Sequence, residues 1–385
     1  MRLGIRKVLL AGAAAVALGG LMAAPANAVA PGDGIVQTIT MGGSDTTEDV
    51  MDALAAEYNT NTTYNPDGDV VKNVPVLPGA APGFSVPGDA NCGTRAYVDK
   101  ALAPATPPPY PAPNGSSDGK RALQGVAPFP TDNATTGCFD GARSSSGPSS
   151  SDPAAFEYYA FGLDAVGVVK FPGSVAPASL SIQEIRDIYS CTKTNWNQVG
   201  GGNGTIVRYI PQDDSGTRSF FVNTVLGAEP STSCGALKKV QENDGTQVAA
   251  ADYGTAVLPY SVAQWIAQGN AVVTDKRASS VFMTQETTAG NLNPVSGTTP
   301  NLVPNPNVVK EPSDFLGVRR VYNISYNGVT PKSDQALRFY GDKTSNPNAG
   351  PGYICRANSG AATTIRRYGF ATFPQSISGS ICKIQ

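Results

Sequence analysis

The residues best equipped for chemistry lie together in Gln212-Asp213-Asp214-Ser215-Gly216-Thr217-Arg218. A β-branched and aromatic segment at 205–210 precedes them and reads as a strand, which Pro211 should end. Apolar residues at 221, 222, 225 and 226 then fit one helical face, and Gly227 stands where a C-terminal cap belongs. Ser-Gly-Thr therefore falls on a tight turn at a helix N-terminus. The first N–H groups of a helix have no partner within it, and the dipole presents its positive end there. Gly216 lets the backbone approach a ligand, while Ser215 and Thr217 add hydroxyl donors. Such a turn can hold an anion; an ordinary Ser/Thr helix cap satisfies the same pattern.

Three more turns have the same character. Residues 42–47 join a short strand at 37–41 to an amphipathic helix at 48–58, whose Val50, Met51, Leu54, Ala55 and Tyr58 share one side. Residues 114–119 lead into a short helix through Ala122 and Leu123. Residues 138–148 place Arg143 among small donors, or equally begin a Ser-rich linker. Four turns rich in Gly, Ser and Thr, placed at helix starts, suit one small dehydrated oxyanion, because in α/β sheets such turns gather at the carboxyl ends of strands.

What is missing narrows the chemistry further. The chain has no histidine, which removes Ser-His-Asp and Cys-His catalysis and every His-ligated metal site. No metal or other cofactor is expected. A formal net charge of −2 argues against general nucleic-acid binding. Six cysteines, Cys92, Cys138, Cys191, Cys234, Cys355 and Cys382, read as disulfides between sequence neighbours, each stapling one local region.

Residues 1–28 have the pattern of an export signal: Arg2, Arg6 and Lys7, then an Ala-rich apolar run, then Ala26-Asn27-Ala28. The mature chain should begin near Val29, with no cysteine there for a lipid anchor and no later segment fit to span a membrane. An exported protein, soluble in the periplasm or outside the cell, is expected.

The elements that must position these turns alternate between strand and helix. A buried strand is expected within 158–171, a capped helix at Ser181 with Glu184, a strand and helix across 254–266, a strand at 321–326 and a helix at 333–340. Residues 65–113 read as irregular loop. With 385 residues, the chain can bury a core divided between two domains of α/β class with mostly parallel sheets.

In order and rough spacing the four turns resemble those of the phosphate-binding proteins of bacterial ABC import systems, within the type II periplasmic-binding-protein fold. Gly43-Ser44-Asp45-Thr46-Thr47 is similar to that family's first loop, and Gly115-Ser116-Ser117-Asp118-Gly119 to its Gly-Ser-Ser-Gly-Gly loop. Gly141-Ala142-Arg143-Ser144-Ser145 stands where the family has Gly-Ala-Ser-Asp, and Ser215-Gly216-Thr217 matches its Ser-Gly-Thr loop. The resemblance implies two α/β domains, 29–167 with 317–385 and 168–316, closing by a hinge over a ligand in the cleft. It implies a monomer that binds inorganic phosphate or a similar oxyanion and delivers it to an ABC permease. The implied ligand-binding residues are Ser44, Asp45, Thr46, Thr47, Ser116, Ser117, Arg143, Ser144, Ser145, Asp214, Ser215, Gly216, Thr217 and Arg218.

Two departures bear on the charges. The family's third loop carries a carboxylate, where this chain has Arg143. The family's arginine before Ser-Gly-Thr is replaced by Pro211. The expectation is a charge swap: Arg143 as the cation, with Arg218 as a second candidate, and Asp213, Asp214 or Asp45 as acceptor of the ligand's proton. Without such an acceptor, sulfate would compete with phosphate. Two other readings remain open. One is a secreted binding protein of this fold no longer coupled to transport. The other is a hydrolase using Ser215 or Thr217, which would lack a histidine base.

Overall fold

The computed structural model describes residues 34–77, 83–88, 92–131, 137–288, 290–326, 333–341, 351–374 and 380–384. The leader expected at 1–28 and the start near Val29 lie outside them. Strand β1 (Thr38–Gly43) is buried on both faces and feeds helix α1 (Glu48–Asn59) through a 3-10 turn at Asp45–Thr47. Strand β2 (Val70–Asn73) runs parallel to β1. The region at 65–113 is more ordered than its Pro and Gly content suggests. Besides β2 it contains β3 (Phe84–Val86), β4 (Arg95–Val98) and β5 (Tyr110–Pro111), which form a small sheet of their own.

Helix α2 (Ser116–Gln124) begins at Ser116, and Gly125 ends it in the left-handed conformation (φ 69°). The turn expected around Arg143 is instead strand β6 (Gly141–Ser144), parallel to β1, and no helix follows it. Strand β7 (Phe156–Lys170) then runs for 15 residues through the molecule.

In the second half, β8 (Ser179–Ser181) leads into α3 (Ile182–Tyr189). The capping box is present: Glu184 N–H donates to Ser181 Oγ at 3.2 Å, and Ser181 N–H to Glu184 Oε2 at 2.8 Å. Strand β9 (Val207–Pro211) includes Pro211 as its last residue, where a missing N–H breaks no ladder bond because Gln212 donates to Val240 instead. Helix α4 (Gly216–Phe220) starts before the first residue of its apolar pattern, Phe221, and passes into a π-helical turn at Phe221–Leu226, capped by Gly227. Strand β10 (Lys238–Val240), β11 (Ala256–Ser261) and α5 (Val262–Gly269) follow. Short strands β12 (Val281–Phe282), β13 (Thr284–Thr287), β14 (Gly290–Leu292), β15 (Val295–Ser296) and β16 (Val303–Pro304) then lead to β17 (Val318–Tyr326). Helices α6 (Ser333–Tyr340) and α7 (Ala361–Arg367) and strand β18 (Lys383–Ile384) complete the chain.

The main sheet has the order β10-β9-β11-β7-β17-β6-β1-β2. Parallel pairs lie at either end, β1 with β2 and β6, and β9 with β10 and β11. At the centre, β7 and β17 pair antiparallel over nearly the whole of β17 and join the two wings. The wings have separate cores. One packs Met51, Leu54 and Tyr58 of α1 against Phe339 and Tyr340 of α6. The other packs Ile185, Ile188 and Tyr189 of α3 against Trp196, Phe221 and Val225. This is the mixed α/β architecture of a type II periplasmic-binding protein.

The disulfides join Cys92 to Cys138, Cys191 to Cys234 and Cys355 to Cys382, the neighbour pairing read from the sequence. Among the described residues no helix is long and apolar enough to cross a membrane. The Cys191–Cys234 bridge closes a separation of 43 residues. By the chain-entropy relation, replacing both cysteines with serine should lower stability by about 4 kcal/mol. Urea unfolding of the double variant against the oxidised parent measures this.

Candidate functional site

Four strand-to-helix or strand-to-loop junctions meet where the two wings face each other. Ser44 follows β1, Ser116 opens α2, Ser145 follows β6, and Ser215 caps α4. All four serines are buried, as are Thr46 and Thr217. Ser44 Oγ donates to Ser145 Oγ at 2.9 Å, and Ser145 N–H donates to Ser116 Oγ at 3.0 Å. The hydroxyls of Thr46 and Thr217 pair across the wings at 3.0 Å. Gly216 is wedged against this ring: a Cβ there would come within 2.2 Å of Ser116 Oγ and 2.4 Å of Ser145 Oγ. Small side chains at these positions are therefore a packing requirement of the convergence itself.

The guanidinium beside the ring belongs to Arg319 on β17. It is buried and paired with the equally buried Asp164 of β7, which stands opposite it in the strand register. Asp164 Oδ2 accepts from Arg319 Nε and Nη2 at 3.1 and 2.8 Å and from Ser261 Oγ at 2.8 Å; Oδ1 accepts from Ala263 N–H at 2.9 Å, at the start of α5. Arg319 also donates to Ser145 O and to Thr217 Oγ1, each at 2.9 Å. The pair thus binds the turn after β6, the start of α4 and the start of α5 to the crossing strands.

Arg143 lies elsewhere. Its fully buried guanidinium donates to the carbonyls of Ser44 (3.1 Å), Val74 (3.1 Å) and Gly43 (3.4 Å), to Asn73 Oδ1, and to Glu48 Oε2 at 3.2 Å. It fixes the first turn from behind, where a charge swap would have had it face the ligand. Ser144 turns its hydroxyl to Ser146 O at 2.7 Å. Thr47 is buried, and its hydroxyl has no hydrogen-bond partner among the described residues. Ser117 contributes its N–H to Asp214 O at 3.2 Å. Arg218 lies 3.7 Å from Asp213 and 3.8 Å from Glu229; its side chain is half-buried, and its Nη1 is buried without a hydrogen-bond partner among the described residues.

The acidic residues divide in two. Asp213 pairs with Lys239 at 2.5 Å on the surface. Asp214 bridges the wings, meeting Lys100 at 2.8 Å and Arg121 at 3.1 Å, while Asp118 holds Lys100 from the other side at 2.7 Å. Burial raises the Asp214 carboxyl, but the hydrogen bonds and charges of Lys100 and Arg121 outweigh this and hold it below the usual carboxylate range. Asp45 is inside, accepting from Gln241 Nε2 (2.9 Å) and Asn243 Nδ2 (3.2 Å). Burial pushes its carboxyl well above the usual range, and the nearby Glu242 and Glu48 add to this.

Glu242 occupies the middle. It sits on the loop after β10 and is almost wholly buried. Its Oε1 accepts from Thr46 N–H at 3.3 Å; its Oε2 accepts from Thr217 N–H at 3.3 Å and from Ser215 Oγ. A cavity of about 170 Å³ opens beside it, lined also by Asp45, Asp49, Gln264 and Lys276.

Sequence reasoning passed over Glu242, Arg319 and Asp164. For the last two a signal exists: a lone carboxylate inside the apolar run Phe161-Gly162-Leu163-Asp164-Ala165-Val166 must find a buried partner. Glu242 lies in the polar stretch Gln241-Glu242-Asn243-Asp244, where nothing distinguishes it from a solvated loop residue.

Two outcomes test this geometry. Gly216→Ala should destabilise the fold by about 1–3 kcal/mol through overpacking against Ser116 and Ser145, read as a lower urea midpoint. Asp214 has a folded value below its unfolded one. It therefore adds stability above about pH 4, and this is lost as pH falls through the depressed value. Asp214→Asn should be less stable than the parent at pH 6, with the gap closing toward pH 3 in the same assay.

Comparison with known proteins follows the same lines. An ABC-type phosphate transport receptor from Vibrio cholerae aligns with a TM-score of 0.50 and 17% identity, covering 86% of this chain and 99% of its own. A putative phosphate ABC transporter substrate-binding protein from Clostridium perfringens, with bound phosphate, aligns at a TM-score of 0.47 and 16% identity, over 77% and 90% of the two chains. No curated protein matches the sequence. The family model described as a PBP superfamily domain matches residues 28–316, most of the chain. With that match and the strand-crossed, two-winged sheet, the chain belongs to the PBP superfamily.

Proposed function

We propose that this is an exported solute-binding protein that holds inorganic phosphate, or a tetrahedral oxyanion of similar size and charge, between its two lobes for ABC-type uptake. The observation that carries this reading is the convergence of hydroxyls and main-chain N–H groups from four separate junctions, with the Arg319 guanidinium beside them. A dehydrated oxyanion needs each oxygen paired, and preferably a fixed cation within reach. Hydroxyls that now bond one another, Ser44 with Ser145 and Thr46 with Thr217, can rotate their protons toward a new acceptor.

On this reading Ser44, Thr46, Ser116, Ser145, Ser215, Gly216 and Thr217 face the ligand. Arg143 and Thr47 shape the first turn, and Arg218 is half-buried beside Asp213. The lobes are 29–167 with 317–385 and 168–316, and β7 and β17 are the crossing strands about which they close. Lys100, Arg121 and Asp214 form a contact at the lip of the cleft. The basic, apolar and small-residue pattern at 1–28 supports export. Binding without turnover, by a monomer, is the reading's further content.

Calorimetry on mature protein, refolded after dialysis under denaturing conditions to strip carried-over ligand, tests it. One phosphate should bind per chain; absence of binding to phosphate, sulfate and arsenate overturns the reading. Thr217→Val should weaken phosphate binding by about tenfold, the worth of one hydrogen bond to a charged group. Arg319→Met should weaken it further and cost about 3–5 kcal/mol of stability, because Asp164 is left buried and unpaired.

A further inference from the structure

We propose that Glu242 is an internal occupant of the oxyanion cradle, a carboxylate that an incoming anion must displace to bind. This rests on the reading of the junctions as an oxyanion site. Its argument is the identity of the donors. Glu242 takes the N–H of Thr46 on one oxygen, and the N–H of Thr217 with the hydroxyl of Ser215 on the other. Those groups come from the first and fourth junctions, one on each wing. The carboxylate therefore bridges the wings as an anion in the cleft would, and it does so while almost wholly buried.

Two anions cannot share these donors. Asp45 already lies close enough to Glu242 for their charges to oppose each other. A phosphate brought onto Thr46 N–H and Thr217 N–H would add a second like charge at contact distance. Displacement has somewhere to go. The cavity of about 170 Å³ has Glu242 itself in its wall, with Lys276 as its cation beside Asp45, Glu48 and Asp49, whose carboxyls burial shifts toward the neutral form. That volume is several times the ~30 Å³ share of one water in the liquid, so a carboxylate end fits. Glu242 N–H stays anchored to Gln212 Oε1 at 2.7 Å, so the side chain can swing without the loop moving.

Two consequences follow for binding. The apparent affinity for an oxyanion is the intrinsic one reduced by the fraction of molecules with Glu242 displaced. The occupant also holds the wings together without a ligand, and removing it frees the donors.

The test is parallel calorimetric titration of the parent, Glu242→Gln and Glu242→Ala with inorganic phosphate and with sulfate. Circular dichroism melts establish that each variant is folded. Both variants should bind phosphate at least tenfold more tightly than the parent. Phosphate affinity unchanged or lower in either folded variant overturns the assignment and leaves the proposed function standing. A fall accompanied by lost preference for phosphate over sulfate would make Glu242 the acceptor of the ligand's proton instead. If neither the parent nor the variants bind any of these anions, the oxyanion reading fails, and this inference with it.

Discussion

A guanidinium and a carboxylate face each other at the place where the two longest central strands cross, and both are out of reach of water. Neither charge is tolerable there alone, since an unpaired buried ion costs several kcal/mol. The pairing is complete because the carboxylate is also met by the Ser261 hydroxyl and the Ala263 N–H. Once made, it dictates where other segments go. Arg319 has donors left over, and these reach Ser145 O and Thr217 Oγ1 in turns that belong to opposite wings. One ion pair thereby sets the distance between the strand crossing, two of the four junctions and the start of α5.

The second buried arginine works differently. Arg143 spends its guanidinium chiefly on main-chain carbonyls at Gly43, Ser44 and Val74, the first of which also accepts from Gly115 N–H. It makes the first turn rigid while contributing its charge on the side away from the hydroxyl ring. The ring itself is made of neutral hydroxyls and main-chain N–H groups, and the charged groups in direct contact with it are Arg319 and Glu242.

Carboxylates are the opposing theme. Asp45 and Glu242 lie close together inside, and burial already strains the first toward its neutral form. Asn243 and Gln241 donate to Asp45, and Gln241 and Gln212 both reach Asn114, so side-chain amides link the first, second and fourth junctions. Between the wings, Asp214 and the buried Asp118 alternate with Lys100 and Arg121, and all but Asp118 are partly open to water. Salt screens contacts of that kind, whereas the interior amide links persist. The wings are therefore joined by two different kinds of contact.

Local sequence determined the pieces. The capping box of α3, the amphipathic face of α1, the left-handed cap at Gly227 and the neighbour pairing of the cysteines are short-range features, each set by residues within one element or a loop of fewer than 50 residues. Three of the small-residue junctions, at Ser44, Ser116 and Ser215, were legible for the same reason, since a turn that precedes a helix carries its own signature; the one around Arg143 is a strand with no helix after it. Only the tertiary structure decided the charges. Arg143 looked like a ligand cation because it stood among serines, yet its strand directs it toward carbonyls of a neighbouring turn that no sequence window connects to it. Arg319 and Asp164 are 155 residues apart and meet only because β17 and β7 pair in one register. Glu242 reaches the Thr46 N–H on one wing and the Ser215 hydroxyl on the other from a loop whose composition matches any solvated loop. Long-range pairing of charged groups depends on strand register and wing closure, and neither is written in any local stretch of the chain.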